Sequence, residues 1–356
     1  GDDDNEDGIG DTSYTDDNIY SSPGFDYLPL YQDQPPMEIN SCQGDLEGIG
    51  DNYILTGDID TEADWQGNYG WTCFFIVGTD LTLDCQGHSI IGNGSGDVFF
   101  INNDSITITN CTIYNVSKVL GFGDYHTEIS FTHNYIDTYG DQLGLGFNLN
   151  GMTNSLFDNN VIEGSSVVNR TTIDMSDGFN NSFTNNVFQN SPAPGYNYYM
   201  LFLGDTDSSD ENIISHNDFY NITVGVYIKN GSNNELSYNF YDTDLGHRRD
   251  IILGPDAVDN LIYGNVLRHN ESVYDNGISN DWNLSAGQGG GNNWTGFEDV
   301  GFNCVDDSPT DGFCDSPFFL AGSAGSADYL PFYSETGGLV ACENFDEDES
   351  GCNAEA

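Results

Sequence analysis

The feature that most constrains this chain is a short phrase that recurs through its middle. It reads ITNCTIYN, FTHNYIDT, FDNNVIEG, FTNNVFQN, SHNDFYNI, SYNFYDTD and YGNVLRHN. Aligned on Cys111, Asn134, Asn160, Asn186, Asn217, Asn239 and Asn265, the copies are 23, 26, 26, 31, 22 and 26 residues apart. LDCQGHSIIG fits one interval upstream, with His88 in register. Self-similarity at such a period means stacked units, each burying an apolar face that it cannot bury alone.

The pattern inside a unit selects the kind of stack. An apolar residue lies two places after each marker: Ile113, Ile136, Ile162, Phe188, Phe219, Tyr241 and Leu267. A second precedes the marker by a few residues, as Ile108, Ile129, Leu156, Phe183, Ile214 and Leu236. Brief alternation broken by Asn, Gly and Asp describes short strands joined by turns, and helical periodicity is missing. Leucine-rich and helical solenoids lack their signatures here. The expectation is an all-β, right-handed parallel β-helix, with Asn at the corners tolerating left-handed backbone and stacking into hydrogen-bonded ladders. Residues 37–300 are assigned to it, residues 1–36 to an acidic N-terminal extension, and residues 301–356 to a disulfide-bearing C-terminal cap with an acidic tail.

The run WTCFFIVGTDLTLDCQGHSIIG, followed by NNDSITITNCTIYN, resembles the right-handed β-helix repeat proteins of archaeal and bacterial surfaces. That family includes NosD-like periplasmic proteins and carbohydrate-binding or sugar-hydrolase β-helices. The resemblance covers roughly residues 40–335 and implies the fold; activity varies among such proteins.

A second repetition involves the ends. Asp311, Gly312, Asp315, Ser316, Pro317 and Phe318, then Asp328, Tyr329, Leu330, Pro331 and Phe332, resemble the closing phrase of the same family. An earlier copy runs Asp7, Gly8, Asp11, Thr12, Ser13, Tyr14, then Asp26, Tyr27, Leu28, Pro29, Leu30. The acidic half of the first copy has calcium-ligand spacing. Asp3, Asn5, Asp7, the carbonyl of Ile9 and Asp11 alternate, with Gly8 at the turn. This resembles the loops of dockerin and thrombospondin type 3 repeats, without the twelfth-position Glu of an EF-hand. The second copy offers Asp307, Asp311, the carbonyl of Phe313 and Asp315, with Pro309 where a ligand belongs. Asp346, Asp348 and Ser350 form a fainter run. Structural Ca2+ is the expected cofactor.

Charge narrows the partners. There are 58 acidic side chains against 6 Lys and Arg, a formal charge of −52. Nothing here could neutralise a row of phosphates or an anionic bilayer, so nucleic acid and membrane surfaces are excluded. Mutual repulsion must be screened by salt or divalent ions, as in a protein of salty or mineral-rich water, and with the resemblance this implies an archaeal source.

Eight cysteines without a CxxC pair suit disulfides and an oxidising exterior. The expected pairs are Cys42–Cys73, Cys304–Cys314 and Cys342–Cys352, with Cys85 and Cys111 facing each other on neighbouring repeats. Sequons at Asn93, Asn103, Asn110, Asn115, Asn169, Asn180, Asn221, Asn230, Asn270, Asn283 and Asn293 favour N-linked glycans on a secreted protein. No apolar run is long enough to cross a bilayer, and the absence of an initiating Met or signal peptide reads as a mature or trimmed product.

No catalytic residue is assigned. GHRRD (His247, Arg248, Arg249, Asp250) is the basic cluster best suited to an elimination enzyme, and Asp205, Asp207 and Asp210 the acidic one best suited to a hydrolase. The six histidines are scattered, and His133 and His216 share the repeat position of Asn159 and Asn185. Trp65, Trp71, Trp282 and Trp294 are candidates to stack on sugar rings if exposed, or cap anchors if not. The preferred expectation is a calcium-stabilised, glycosylated structural subunit of an extracellular filament or cell-surface layer, binding copies of itself head to tail. The alternatives are a secreted glycan-binding module or a polysaccharide-degrading β-helix.

Overall fold

A computed structural model gives the structure of residues 35–332, apart from 43, 61–71, 93–96, 117, 124, 138–145, 165–170, 190–198, 243–248, 268–271, 295–305 and 307–311. These residues form a parallel β-solenoid of the right-handed type. Three ten-stranded sheets run its length. The first begins with Met37–Ile39 and Asn52–Leu55 and ends with Leu261–Tyr263. The second begins with Ile59–Asp60 and ends with Asn293–Trp294, and the third runs from Gly44–Leu46 to Val273–Asp275. Helix among the described residues is confined to 3-10 turns, of which Ala286–Gln288 is described in full.

Each coil visits the three sheets in turn, and equivalent residues stack in register, with one shift in the third sheet between Ile228 and Asn230. In the first sheet Phe131 pairs with Ile108 below and Phe157 above. In the second, Ile136 lies between Ile113 and Ile162. All the apolar residues two places after the marker are inward and buried. Their rings form stacks: Phe157 on Phe183 at 5.0 Å, Phe188 on Phe219 at 4.9 Å, and Phe219 on Tyr241 at 4.7 Å. Offset stacking adds to the apolar area already removed from water.

Two members of the preceding apolar set take other places. Leu156 is 38% exposed, because Phe157 is the inward residue of that strand. Ile129 is buried at the corner before its strand rather than within it. Period-two patterning explains both, since neighbouring apolar residues cannot face the same side.

The corners carry the polar order. The residue before each marker is left-handed: His133 (φ 57°), Asn159 (54°), Asn185 (54°), His216 (56°) and Tyr238 (55°). The marker Asn then turns inward. Asn134, Asn160, Asn186, Asn217, Asn239, Asn265 and Asn292 form one ladder between the first and second sheets. Ser155, Asn181, Asn212, Asn234, Asn260 and Asn280 form another at the corner entering the first sheet.

Candidate functional site

The ladders have a direction. The backbone N–H and Nδ2 of Asn160 both donate to Oδ1 of Asn186, at 2.9 Å each, and Asn186 donates likewise to Asn217 at 2.9 and 3.0 Å. The second Nδ2 proton reaches back to a strand carbonyl, as from Asn186 to Phe157 at 2.9 Å. Every donation from one rung onto the next Oδ1 therefore points toward the carboxy-terminal end. A polar stack with this polarity must finish on a group that only accepts, and an ionised carboxylate does so.

Both ladders finish in that way. Asn292 donates its backbone N–H to Oδ2 of Asp328 at 2.7 Å, and the Trp294 indole donates to the same oxygen at 3.0 Å. The N–H of Leu330 donates to Oδ1 of Asp328 at 3.1 Å. Asn280 donates to Oδ1 of Asp275 at 3.1 Å, while Trp282 and Ser326 donate to its Oδ2 at 2.9 and 2.7 Å. The two ends thus share one design, an aspartate and a tryptophan per ladder. Burial pushes the Asp328 carboxyl up to about 6, against the pull of its donors from Asn292, Trp294 and Leu330.

The closing phrase of the sequence is this cap. Phe318–Phe319 pairs antiparallel with Ala327–Asp328, and Phe318 packs on Trp294 with ring centres 4.2 Å apart. Phe313 lies 5.1 Å from the Phe332 ring and occupies the space over Gly290, where a Cβ would come within 1.9 Å of it. Trp282 and Trp294 are 1% and 3% exposed, so neither can meet a sugar. They are cap anchors. Trp65 and Trp71 lie outside the described residues.

The opposite end of the first ladder is covalent. Cys85 and Cys111 form a disulfide, and the N–H of Cys111 donates to Asn134 Oδ1 at 2.9 Å. The expected Cys42–Cys73 bond is also present. Cys314 is disulfide-bonded; its expected partner Cys304, and the pair Cys342 and Cys352, lie outside the described residues.

Of the calcium ligands expected from sequence, Asp3, Asn5, Asp7, Ile9, Asp11, Asp307 and Asp311 lie outside the described residues. Phe313 is buried in the cap and Asp315 is exposed. Among the described residues no group of three or more His, Cys, Asp or Glu side chains is placed to hold a metal. The sequon residues Asn110, Asn115, Asn180 and Asn221 are exposed at left-handed corners. Asn103, Asn230, Asn283 and Asn293 are partly buried, and Asn93, Asn169 and Asn270 lie outside the described residues.

Of the two candidate catalytic clusters, Arg249, Asp250, Asp205 and Asp210 are engaged with neighbouring coils. Arg249 lies over the Tyr274 ring, 4.8 Å from its centre, and Asp250 is fully buried with the Ser272 hydroxyl donating to it at 2.6 Å. His247 and Arg248 lie outside the described residues. Asp205 pairs with Lys229 at 2.6 Å, and Asp210 Oδ1 accepts the N–H of Ser232 at 2.6 Å. Nearby, Asp174 is pushed up to about 6 by burial first and by the Asp205 charge second, and its Oδ1 has no hydrogen-bond partner. Lone-pair count, not sequence pattern, distinguishes these carboxylates, so sequence reasoning passed over Asp174 and Asp275.

No protein-family model matches the chain, and no curated protein matches its sequence.

Proposed function

We propose that this chain is a secreted structural β-solenoid, akin to the β-helix proteins of prokaryotic surfaces, that builds an extracellular filament or surface layer by end-to-end contact between copies. The observation that carries this reading is where the exposed apolar side chains lie. Ile49 (71%) sits on the first coil, while Ile278 (58%), Phe319 (58%) and Tyr329 (62%) sit on the last coil and its cap. In a chain of charge −52 the flanks repel, and among the described residues the ends hold four of the five large apolar side chains that are more than half exposed, Tyr125 on the flank being the fifth. A contact between two different ends propagates as a filament.

Because Asp328 already closes its ladder, the joint is one between a finished cap and a first coil. The echo of the closing phrase at Asp26–Leu30 supports a matching role for the amino-terminal side. Calcium held by the acidic extension and by Asp307, Asp311 and Asp315 would offset repulsion across the joint. The disulfides, the corner sequons and the absence of a membrane-spanning helix among the described residues are compatible with an extracellular site.

Light scattering and electron microscopy of the purified chain, across calcium and salt concentrations, test the reading. Linear oligomers are expected, and F319D/Y329D is expected to shorten them to monomers without lowering the melting temperature by more than a few degrees. A parent chain that stays monomeric under every condition overturns the proposal.

A further inference from the structure

The most exposed aromatic among the described residues does not belong to the ends. Tyr125 is 71% exposed on the flank, at the mouth of a groove of about 380 Å³. The groove crosses successive coils where the third sheet turns toward the first. At roughly 4.8 Å per coil, its four contributing coils span about 14 Å. Its volume lies in the range of small-molecule sites, ~300–1,000 Å³.

The ring of Tyr125 rests on bare backbone. Gly151 has φ +75°, and a Cβ there would come within 2.8 Å of the Tyr125 Cδ1 atom. The ring thus forms one wall with a flat apolar surface. Apart from Phe122 and the glycines Gly123 and Gly151, the remaining lining is polar. Asn150 Oδ1 accepts the N–H of Ser176 at 2.8 Å, and Asn148 Oδ1 accepts the N–H of Asn150 at 3.4 Å. Both carboxamides are held by their oxygens, so their NH2 groups remain as donors on the groove. Ser176 Oγ accepts the N–H of Asp205 at 3.1 Å, and Thr206 donates to Asp207 at 3.2 Å. Asp177, set by a left-handed backbone of φ 56°, and Asp207 supply acceptors.

A flat ring beside fixed amide donors and carboxylate acceptors is the chemistry that recognises a polyol ring: C–H bonds stack on the aromatic face, and hydroxyls both give and receive hydrogen bonds. Two carboxylates in the groove, on a chain of charge −52, repel uronates and sulfated sugars. We propose that this groove binds a short neutral oligosaccharide, with Tyr125 as the stacking platform and Asn148, Asn150 and Asp177 as the hydroxyl-reading groups.

The site is separate from the end contacts, so the two proposals fail independently. Isothermal titration with cello-, malto-, manno- and xylo-oligosaccharides, with oligogalacturonate as the anionic control, tests it. Saturable binding of at least one neutral sugar is expected, weakened at least about tenfold by Y125A, a loss equal to about 1.4 kcal/mol. Y125W should retain binding, and both variants should melt as the parent does because the side chain is exposed. No saturation by any neutral sugar, binding that Y125A leaves unchanged, or oligogalacturonate binding as tightly as the neutral sugars would each overturn the proposal.

Discussion

At the residue scale, asparagine is used here for the number of bonds it can make rather than for its turn preference. A ladder Asn such as Asn186 spends both Nδ2 protons and loads its Oδ1 twice, so nothing polar is left unmatched in a buried corner. Alanine at this position strands the N–H of Asn160 and the carbonyl of Phe157 together. N186A is therefore expected to cost about 2–5 kcal/mol in chemical denaturation. N185G, one residue earlier at a left-handed exposed corner, should change stability little. Asp174 shows the reverse condition, a carboxylate whose oxygen is buried without a donor. Its folded carboxyl is raised from 3.8 to about 6, so between those values the folded chain holds a proton that the unfolded chain has released. The contribution of Asp174 to stability then rises as pH falls from 7 toward about 4, and levels off below. Asp328, also raised to about 6, acts in the same direction. D174N removes one share of this dependence. It is expected to be more stable than the parent at pH 7 by about 1–2 kcal/mol, allowing for its partial exposure, with a shallower melting-temperature profile between pH 4 and 7.

At the scale of the element, the coil was legible in the sequence because one of its three corners is constant from Thr109 onward. The turn from the first to the second sheet takes two residues in coil after coil, between Thr132 and Tyr135 or between Ser215 and Asp218. That constancy keeps the marker Asn and the inward residue two places later in fixed phase. The link from the second to the third sheet varies from three residues, between Tyr114 and Lys118, to eleven, between Asp60 and Thr72, and the link from the third back to the first from two, between Ser232 and Glu235, to nine, between Leu203 and Ile213; together they account for the uneven period. The ends were harder to read. Asp328 stood out as part of a repeated phrase, but its role depends on meeting Asn292, 36 positions away, and on the one-way run of donors behind it. Asp275 carries no phrase at all. The cap is also where a local loss can be measured, since a solenoid is held mainly by contacts between neighbouring coils. D328A leaves the Asn292 N–H and the Trp294 indole buried without an acceptor. Amide hydrogen exchange is expected to quicken in the last coil and in residues 312–332, while the amides around Ile136 and Ile162 keep the parent's protection. Uniform loss of protection along the whole rod would mean that the aspartate does more than close the ladder.

At the scale of the whole molecule, a buried order of neutral amides runs inside a shell of like charge. The described ion pairs to lysine are few, Lys118 with Asp97 at 3.4 Å and Lys229 with Asp205 at 2.6 Å, and they cannot offset 58 acidic side chains. Coils about 4.8 Å apart bring carboxylates of successive coils well inside the ~10 Å over which charges interact at 0.1 M salt. At 1 M that length falls to about 3 Å, less than one coil, so repulsion along the rod should be largely cancelled. The core does not respond in this way, because the amides of its ladders are uncharged and its ring stacks gain only modestly from added salt. Melting temperature should therefore climb steeply between about 0.05 and 1 M NaCl and flatten once the screening length is shorter than the coil spacing. Sodium sulfate, which also strengthens apolar burial, should keep raising it beyond that point. The contrast assigns the gain: a plateau in chloride with continued rise in sulfate identifies charge as the limiting term, whereas identical curves in both salts would place the limit in the apolar core.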